Sequence, residues 1–329
     1  RDDQSIYEAI AAGIPGTPMP SFVASLGGDV SLEGVSPDTE VIWALVAYLR
    51  SLEVPREAAG VRSGATVTAV RAVSDEMFVD PGHADWAEVE PTALSLQPLW
   101  QRQHAARAVQ IRAIHDGHRA ALPIEWPDPR ADEVTDSVHQ FTDAGALMFS
   151  LAPGLPTLTM GGSEDGKGSV NIWHWRADRQ VRADERSLRD VPSIEAGVPA
   201  DYYVGKRGDP AAGPITEHDP LYVPAWREGN PKSDPALLDR AVLESNAAGF
   251  GTLTLQATAS QHVVGRGAWM HGSWRVVFTR SLKADETADA DLASNRRIAF
   301  AAATWDGSSG DRNGTKLITG WHWLTIDTH

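Results

Sequence analysis

"FTDAGALMFSLAPGLPTLTMGGSEDGKGSVNIWHWRAD", residues 141–178, decides the fold. An apolar run ends at a loop punctuated by Pro153, Pro156 and several glycines. A second apolar run, "VNIWHW", then begins at Val170. Short runs rich in β-branched and aromatic residues between turn residues signal strands. His174 alternates with Trp173 and Trp175. In a strand that places the imidazole on the opposite face from the indoles. Working outward, the same rhythm recurs in "ATVTAVRAV" (65–73), "GFGTLTLQA" (249–257), "GSWRVVFTRSL" (272–282), "RRIAFAAATWDG" (296–307) and "ITGWHWLTI" (318–326). The last of these puts Trp321 and Trp323 on one face and His322 on the other. Residues 66–329 therefore read as a mainly β domain, an antiparallel β-sandwich with peripheral helices. Residues 97–120 read equally as a helix or as a pair of strands. Residues 177–247, rich in Asp, Pro, Arg and Gly, read as a long surface excursion and a docking arm.

Upstream the pattern is helical. Ile6, Ala9 and Ile10 share a helix face, and Gly13 is a natural stop. "GIPGTPMPSF", residues 13–22, follows as a stiff loop, since proline fixes φ and removes backbone donors. "SPDTEVIWALVAYLRSL", residues 36–52, then reads as a helix capped by Ser36, with Pro37 at its first position. Ile42, Leu45, Val46, Leu49 and Leu52 are expected to form one apolar stripe. A linker follows near 54–65. The expected domains are an all-α segment over 1–57, a linker over 58–65 and the β domain over 66–329.

The chain has 329 residues and a formal net charge of -15, which argues against a nucleic-acid partner. No segment approaches the roughly 20 apolar residues of a membrane helix, so no membrane span is expected. It contains no cysteine, which excludes disulfides, iron–sulfur clusters, thiolate zinc sites and thioether-linked haem within these residues. A metal would have to be held by His, Met, Lys or carboxylate. The first residues already lie in a helical pattern, as in the remainder of a longer polypeptide. No GxSxG, HExxH, P-loop or βαβ-embedded GxGxxG is present, so no catalytic residue is expected.

Two resemblances add to this reading. Residues 1–57, with the "TPMPSF" loop and the "YLRSL" helix ending, resemble the C-terminal half of a class I cytochrome c domain. The family's two-cysteine attachment signature is not in these residues: if that half lies upstream, the resemblance implies that Met19 ligates haem c iron, and otherwise the segment is a relic without haem. The β domain resembles the haem-binding γ subunit of ethylbenzene dehydrogenase and of its dimethylsulfide dehydrogenase, selenate reductase and chlorate reductase relatives, and more loosely of nitrite oxidoreductase. The "TMGG" loop before "VNIWHW" and the "WDGSSGDRNGTK" segment before the final tryptophan strand carry it. It implies a haem b held between Met160 and Lys316. It further implies an electron-transfer subunit in a periplasmic complex. A molybdopterin catalytic α subunit and an iron–sulfur β subunit would be its partners, with an external electron carrier beyond.

Chemistry sharpens these expectations. A lysine ligates only as the neutral amine, so Lys316 should be buried with a depressed pKa. Gly307, Gly310 and Gly314 would let backbone approach a flat macrocycle, and Trp305, Trp321, Trp323, Trp173 and Trp175 would wall it. Asp306, Asp311 and Arg312 would contact propionates or cap turns. A bis-histidine haem is the runner-up for the coordination, and His115 and His118 stand three apart as on a metal-binding helix. Each residue also has a plain role: most lysines are solvated, and most loop methionines pack. The competing class is a haem-free binding module with an exposed tryptophan platform for sugar rings, or a structural docking subunit.

Overall fold

The computed structural model describes residues 3–13, 37–51, 64–99, 108–151 without 136 and 138, 155, 156, 158, 168–185, 237, 240–249, 251–293 without 285, and 297–327. The chain divides into two units, Arg1–Gly60 and Val61–His329.

In the first unit, helices α1 (Asp3–Ala12) and α2 (Pro37–Ser51) pack through Ile10, Ile42 and Val46. Tyr7 stacks on Trp43 at 4.8 Å between centroids. Gly13 has φ 72° and stops α1 as expected, because the left-handed region costs glycine nothing. The expected single stripe of α2 splits. Ile42 and Val46 are buried, whereas Leu45 and Leu49 are 39% and 43% exposed. The 3.6-residue period brings them near one another, but α1 covers only one side of the stripe. Leu52, Met19 and the rest of the loop lie outside the described residues.

The second unit is mainly β, with strands β1 (Thr66–Arg71), β2 (Thr92–Ser95), β3 (Gln97–Pro98), β4 (Ala108–Ile111), β5 (Ile114–His115), β6 (Arg119–Pro127), β7 (Ala144–Ser150), β8 (Val170–Arg176), β9 (Val242–Ala247), β10 (Thr254–Leu255), β11 (Val264–Met270), β12 (Ser273–Ser281), β13 (Ile298–Trp305), β14 (Leu317–Ile318) and β15 (His322–Ile326). The pairing runs β10-β9-β8-β7-β13-β15-β1-β5-β6-β12-β11. β1 joins the two halves: Thr66–Ala69 pair with β15, and Val70–Arg71 pair with β5, both in parallel. The sheet is therefore mixed rather than wholly antiparallel, since β1 must run alongside two strands from distant parts of the chain.

The halves meet through tryptophans. Trp175 of the first half lies 4.9 Å from Trp274 and 6.4 Å from Trp126 of the second, centroid to centroid. Indoles of this size supply most of the apolar area a core needs. The β11–β12 hairpin closes through His271 and Gly272 with φ 51° and 76°, the twin positive values of a tight turn matched to strand twist.

Residues 97–120, open between helix and strands, are strands β3, β4, β5 and the start of β6 where described, so His115 and His118 share no helix face. Asp116 Oδ1 accepts from the backbone N–H groups of His118 and Arg119, making the turn between β5 and β6. The excursion expected over 177–247 is narrower at both ends. Helix α3 (Ala177–Glu185) packs on β8 and β11. There Gln180 Oε1 accepts from Trp175 Nε1 and the Gly267 N–H. β9 is an internal strand paired with β8 over six residues. The intervening residues 186–236 lie outside the described set. Among the described residues no helix is long and apolar enough to cross a membrane.

Candidate ligand cavity

Period-2 alternation gives the first half of the sheet two different faces. Leu147 and Phe149 of β7, Trp173 and Trp175 of β8, and Phe300 and Ala302 of β13 face the core. The residues between them face outward. Strand register sets these in rows: Ala144 opposes Arg176 and Trp305, Ala146 opposes His174 and Ala303, and Met148 opposes Ile172 and Ala301. Alanine projects one methyl, so this face forms a low, flat floor. Above it lies a cavity of about 1230 Å³, larger than the roughly 300–1,000 Å³ of ordinary small-molecule sites.

Lys316 rims this floor. Its Nζ stands 4.9 Å from the ring centroid of Trp305. Burial pushes its amine below the usual lysine range, because leaving water penalises the ammonium form. Trp305 is fixed by its own N–H, which donates to the Asn313 carbonyl at 3.1 Å. Asn313 has φ 50° and Gly310 φ 74°, so the loop turns twice before Lys316. A Cβ on Gly314 would meet nothing within 4 Å, and this glycine lines the cavity.

His174 faces the same space, 5.0 Å from Trp305 between ring centroids. Its Nε2 is buried without a hydrogen-bond partner. Burial, then the positive charges of Arg176, Lys316 and Arg179, hold its pKa down to about 3, so the ring is neutral. An amine whose pKa is lowered by burial, a neutral imidazole and the Met148 thioether thus share one apolar-floored cavity. These are donors for a soft or borderline transition metal.

Of the expected site residues, Lys316, Trp305 and Gly314 line the cavity. Trp321 packs at its edge, its indole N–H donating to the Pro156 carbonyl at 2.7 Å. Met160 lies outside the described residues, and Leu158, two positions earlier, lines the cavity. Three tryptophans are not walls. Trp173 and Trp175 belong to the core on the opposite face, and Trp323 lies under the Arg297 guanidinium. Gly307 serves protein packing: a Cβ there would come within 2.2 Å of the Phe141 carbonyl. Asp306 and Asp311 build the turn. Asp306 Oδ1 accepts from the Ser309 N–H, and Asp311 Oδ2 accepts from the Asp306 N–H. Arg312 lies over Phe141 at the rim. The motifs of the sequence do not single out Met148, which lines the cavity. Its signal was there: it alternates with the core residues Leu147 and Phe149, on the strand antiparallel to the His174 strand.

The fold defines a mainly β protein with a sizeable, flat-floored cavity outside its core. The chain belongs to the ethylbenzene dehydrogenase family, whose model matches residues 83–316. It is similar to the chlorate reductase subunit gamma of Ideonella dechloratans, 22% identical over 215 residues, 65% of this chain and 63% of that one. It is also similar to a Haloferax mediterranei chain described as a respiratory nitrate reductase haem subunit, 21% identical over 65% of this chain and 54% of that one. The chain thus spans less than two thirds of the length of these relatives. Among solved structures, a family 9 carbohydrate-binding module of Caldicellulosiruptor kristjanssonii with glucose covers 80% of this chain and 96% of its own, at 8% identity and a TM-score of 0.36.

Proposed function

We propose that this chain is the electron-transfer γ subunit of a periplasmic molybdenum oxidoreductase complex, with haem b in the cavity of the second unit. The observation that carries this reading is the sheltered Lys316 amine at the edge of an alanine floor. A planar macrocycle needs a flat apolar bed, and an amine ligand needs its proton gone. The relatives' names, a reductase γ subunit and a haem subunit, support the same reading. Lys316 and Met160 would hold the iron, and Trp305 and Trp321 would pack at the rim of the macrocycle. Haem bound there would supply a one-electron couple, and ligation by both residues would suit electron transfer rather than substrate binding at the iron. The molybdopterin α subunit, the iron–sulfur β subunit and an external carrier complete the chain of transfer.

The first unit is proposed to carry Met19 as a ligand to haem c, completed by residues beyond this chain. On α2, Val41, Leu45, Tyr48 and Leu49 are exposed at helical spacing, an apolar face suited to such a covering. The tryptophan-platform alternative is disfavoured. Among the described tryptophans of the second unit only Trp269 is exposed.

A pyridine haemochrome assay before and after acid–acetone extraction tests both halves. Extractable haem b with retained haem c is the expected result. No haem sinks the reading. Met160→Ala should release haem b while Met148→Leu keeps it, and the reverse pattern would move the thioether ligand to Met148.

A further inference from the structure

Three carboxylates converge beside the loop that leads to Lys316. Asp128 follows β6, Asp143 immediately precedes β7 and Asp306 immediately follows β13. One carboxylate oxygen from each lies within 4.8 Å of the other two. Asp128 and Asp143 are 2% and 0% exposed. Asp143 is rigidly held: Oδ1 accepts from the Gly307 N–H at 2.8 Å, and Oδ2 accepts from Trp274 Nε1 at 2.8 Å and the Asp132 N–H at 2.7 Å. Asp306 accepts from Ser308 and Ser309. Asp128 Oδ1 accepts from the Arg130 N–H at 3.1 Å, whereas its Oδ2 is buried without a partner. The neighbouring guanidinium of Arg130 is spent on Asp132 at 3.0 Å.

Buried like charges at this spacing must be neutralised by protons or by a cation. Burial first, then Asp143, pushes Asp128 up to about 8, and burial raises Asp143 to about 6. Asp132 and Asp306 add further negative field at Asp128. We propose that Asp128, Asp143 and Asp306 form a calcium site, with the buried, unpartnered Asp128 oxygen as one of its ligands. The donors are all hard oxygens. Calcium accepts irregular sets of six to eight of these, with backbone carbonyls or waters completing the shell, whereas magnesium demands octahedral geometry and retains its water. The ion ties the ends of β6, β7 and β13 together and anchors the start of the loop that ends at Lys316. It does not depend on the haem reading.

Terbium and calcium ions test this on the purified chain stripped with a chelator. Trp274 donates to Asp143, so terbium bound there is expected to show tryptophan-sensitised emission that calcium quenches. Calcium is expected to raise the unfolding midpoint on the order of 5 °C, saturably. Asp128→Asn should abolish both responses, yet melt no lower than the native chain in chelator, since it removes repulsion. Asp306→Asn, half-buried, provides the same comparison if the first variant does not fold. No calcium response, an equal response to magnesium, or an unchanged response in the foldable variants would overturn the assignment.

Discussion

Lys316 Nζ stands 4.9 Å from the ring centroid of Trp305, and the Trp305 N–H is held by the carbonyl of Asn313, three residues before that lysine. The loop therefore fixes both the amine and the ring beneath it. The indole face favours an ammonium, while lost hydration disfavours it, and the lysine pKa comes out lowered. An amine poised in this way gives up its proton to a metal more readily than a surface lysine.

Lys316→Leu keeps an apolar stem at this position and removes the amine without offering iron another donor. Haem retention is expected to weaken at least about tenfold, measured by transfer to an apo-haem acceptor, because loss of a direct ligand should cost no less than loss of an outer-shell partner. Unchanged retention and an unchanged low-spin spectrum would remove Lys316 from the iron.

His174 makes stability depend on acid. Its folded pKa, about 3, lies below the ordinary 6.5, so the unfolded chain binds the extra proton between those values. Its contribution is fully present above pH 6.5 and is lost as pH falls toward 3. His322, buried and held to about 4, acts in the same direction. His174→Gln should flatten the acid limb, by up to about 1.4 kcal/mol per pH unit in that window. Chemical denaturation at a series of pH values reads it directly.

Arg280 is 1% exposed at its side chain and bridges Glu244 at 3.2 Å and Asp289 at 3.1 Å. Burial raises the Glu244 pKa, and the arginine offsets part of that. Arg280→Ala leaves two buried carboxylates facing each other and should cost about 3–5 kcal/mol. A urea midpoint within experimental error of the native value would show the pair to be dispensable.

Gly267 lies against Trp175, where a Cβ would come within 2.3 Å of the indole. Trp126 and Trp274 back that ring, so it has little room to move. Gly267→Ala should destabilise by about 1–3 kcal/mol, the usual cost of overpacking. Gly320→Ala, where a Cβ meets nothing within 4 Å, provides the neutral comparison. Equal midpoints for both variants would show the strand gives way at little cost.

Much of this was legible in the residues. Period-2 runs between turn signals predicted the strands from Thr66 onward. His174 falls opposite Trp173 and Trp175, as alternation requires. Lys316 and Trp305 belong to one sequence motif and line one cavity. The helix-or-strand ambiguity of 97–120 was real, because β-branched residues and arginines fit either period until pairing partners are known. The mistaken tryptophan walls have the same origin. An indole is large enough to wall a cavity or to fill a core, and composition does not distinguish the two.

The sequence by itself determined which side chains share a face of each strand, where the chain turns, and that any metal must do without thiolate. Only the tertiary structure decided which face is core and which is cavity. It also decided that Asp128, Asp143 and Asp306 meet, and that one arginine serves Glu244 and Asp289. The reason is physical. Alternation and turn chemistry are local, set by residues a few positions apart, whereas what covers a face depends on strands paired across more than a hundred residues. The alanines of β7 and β13 are a flat floor only because β8 and β14 lie beside them in register.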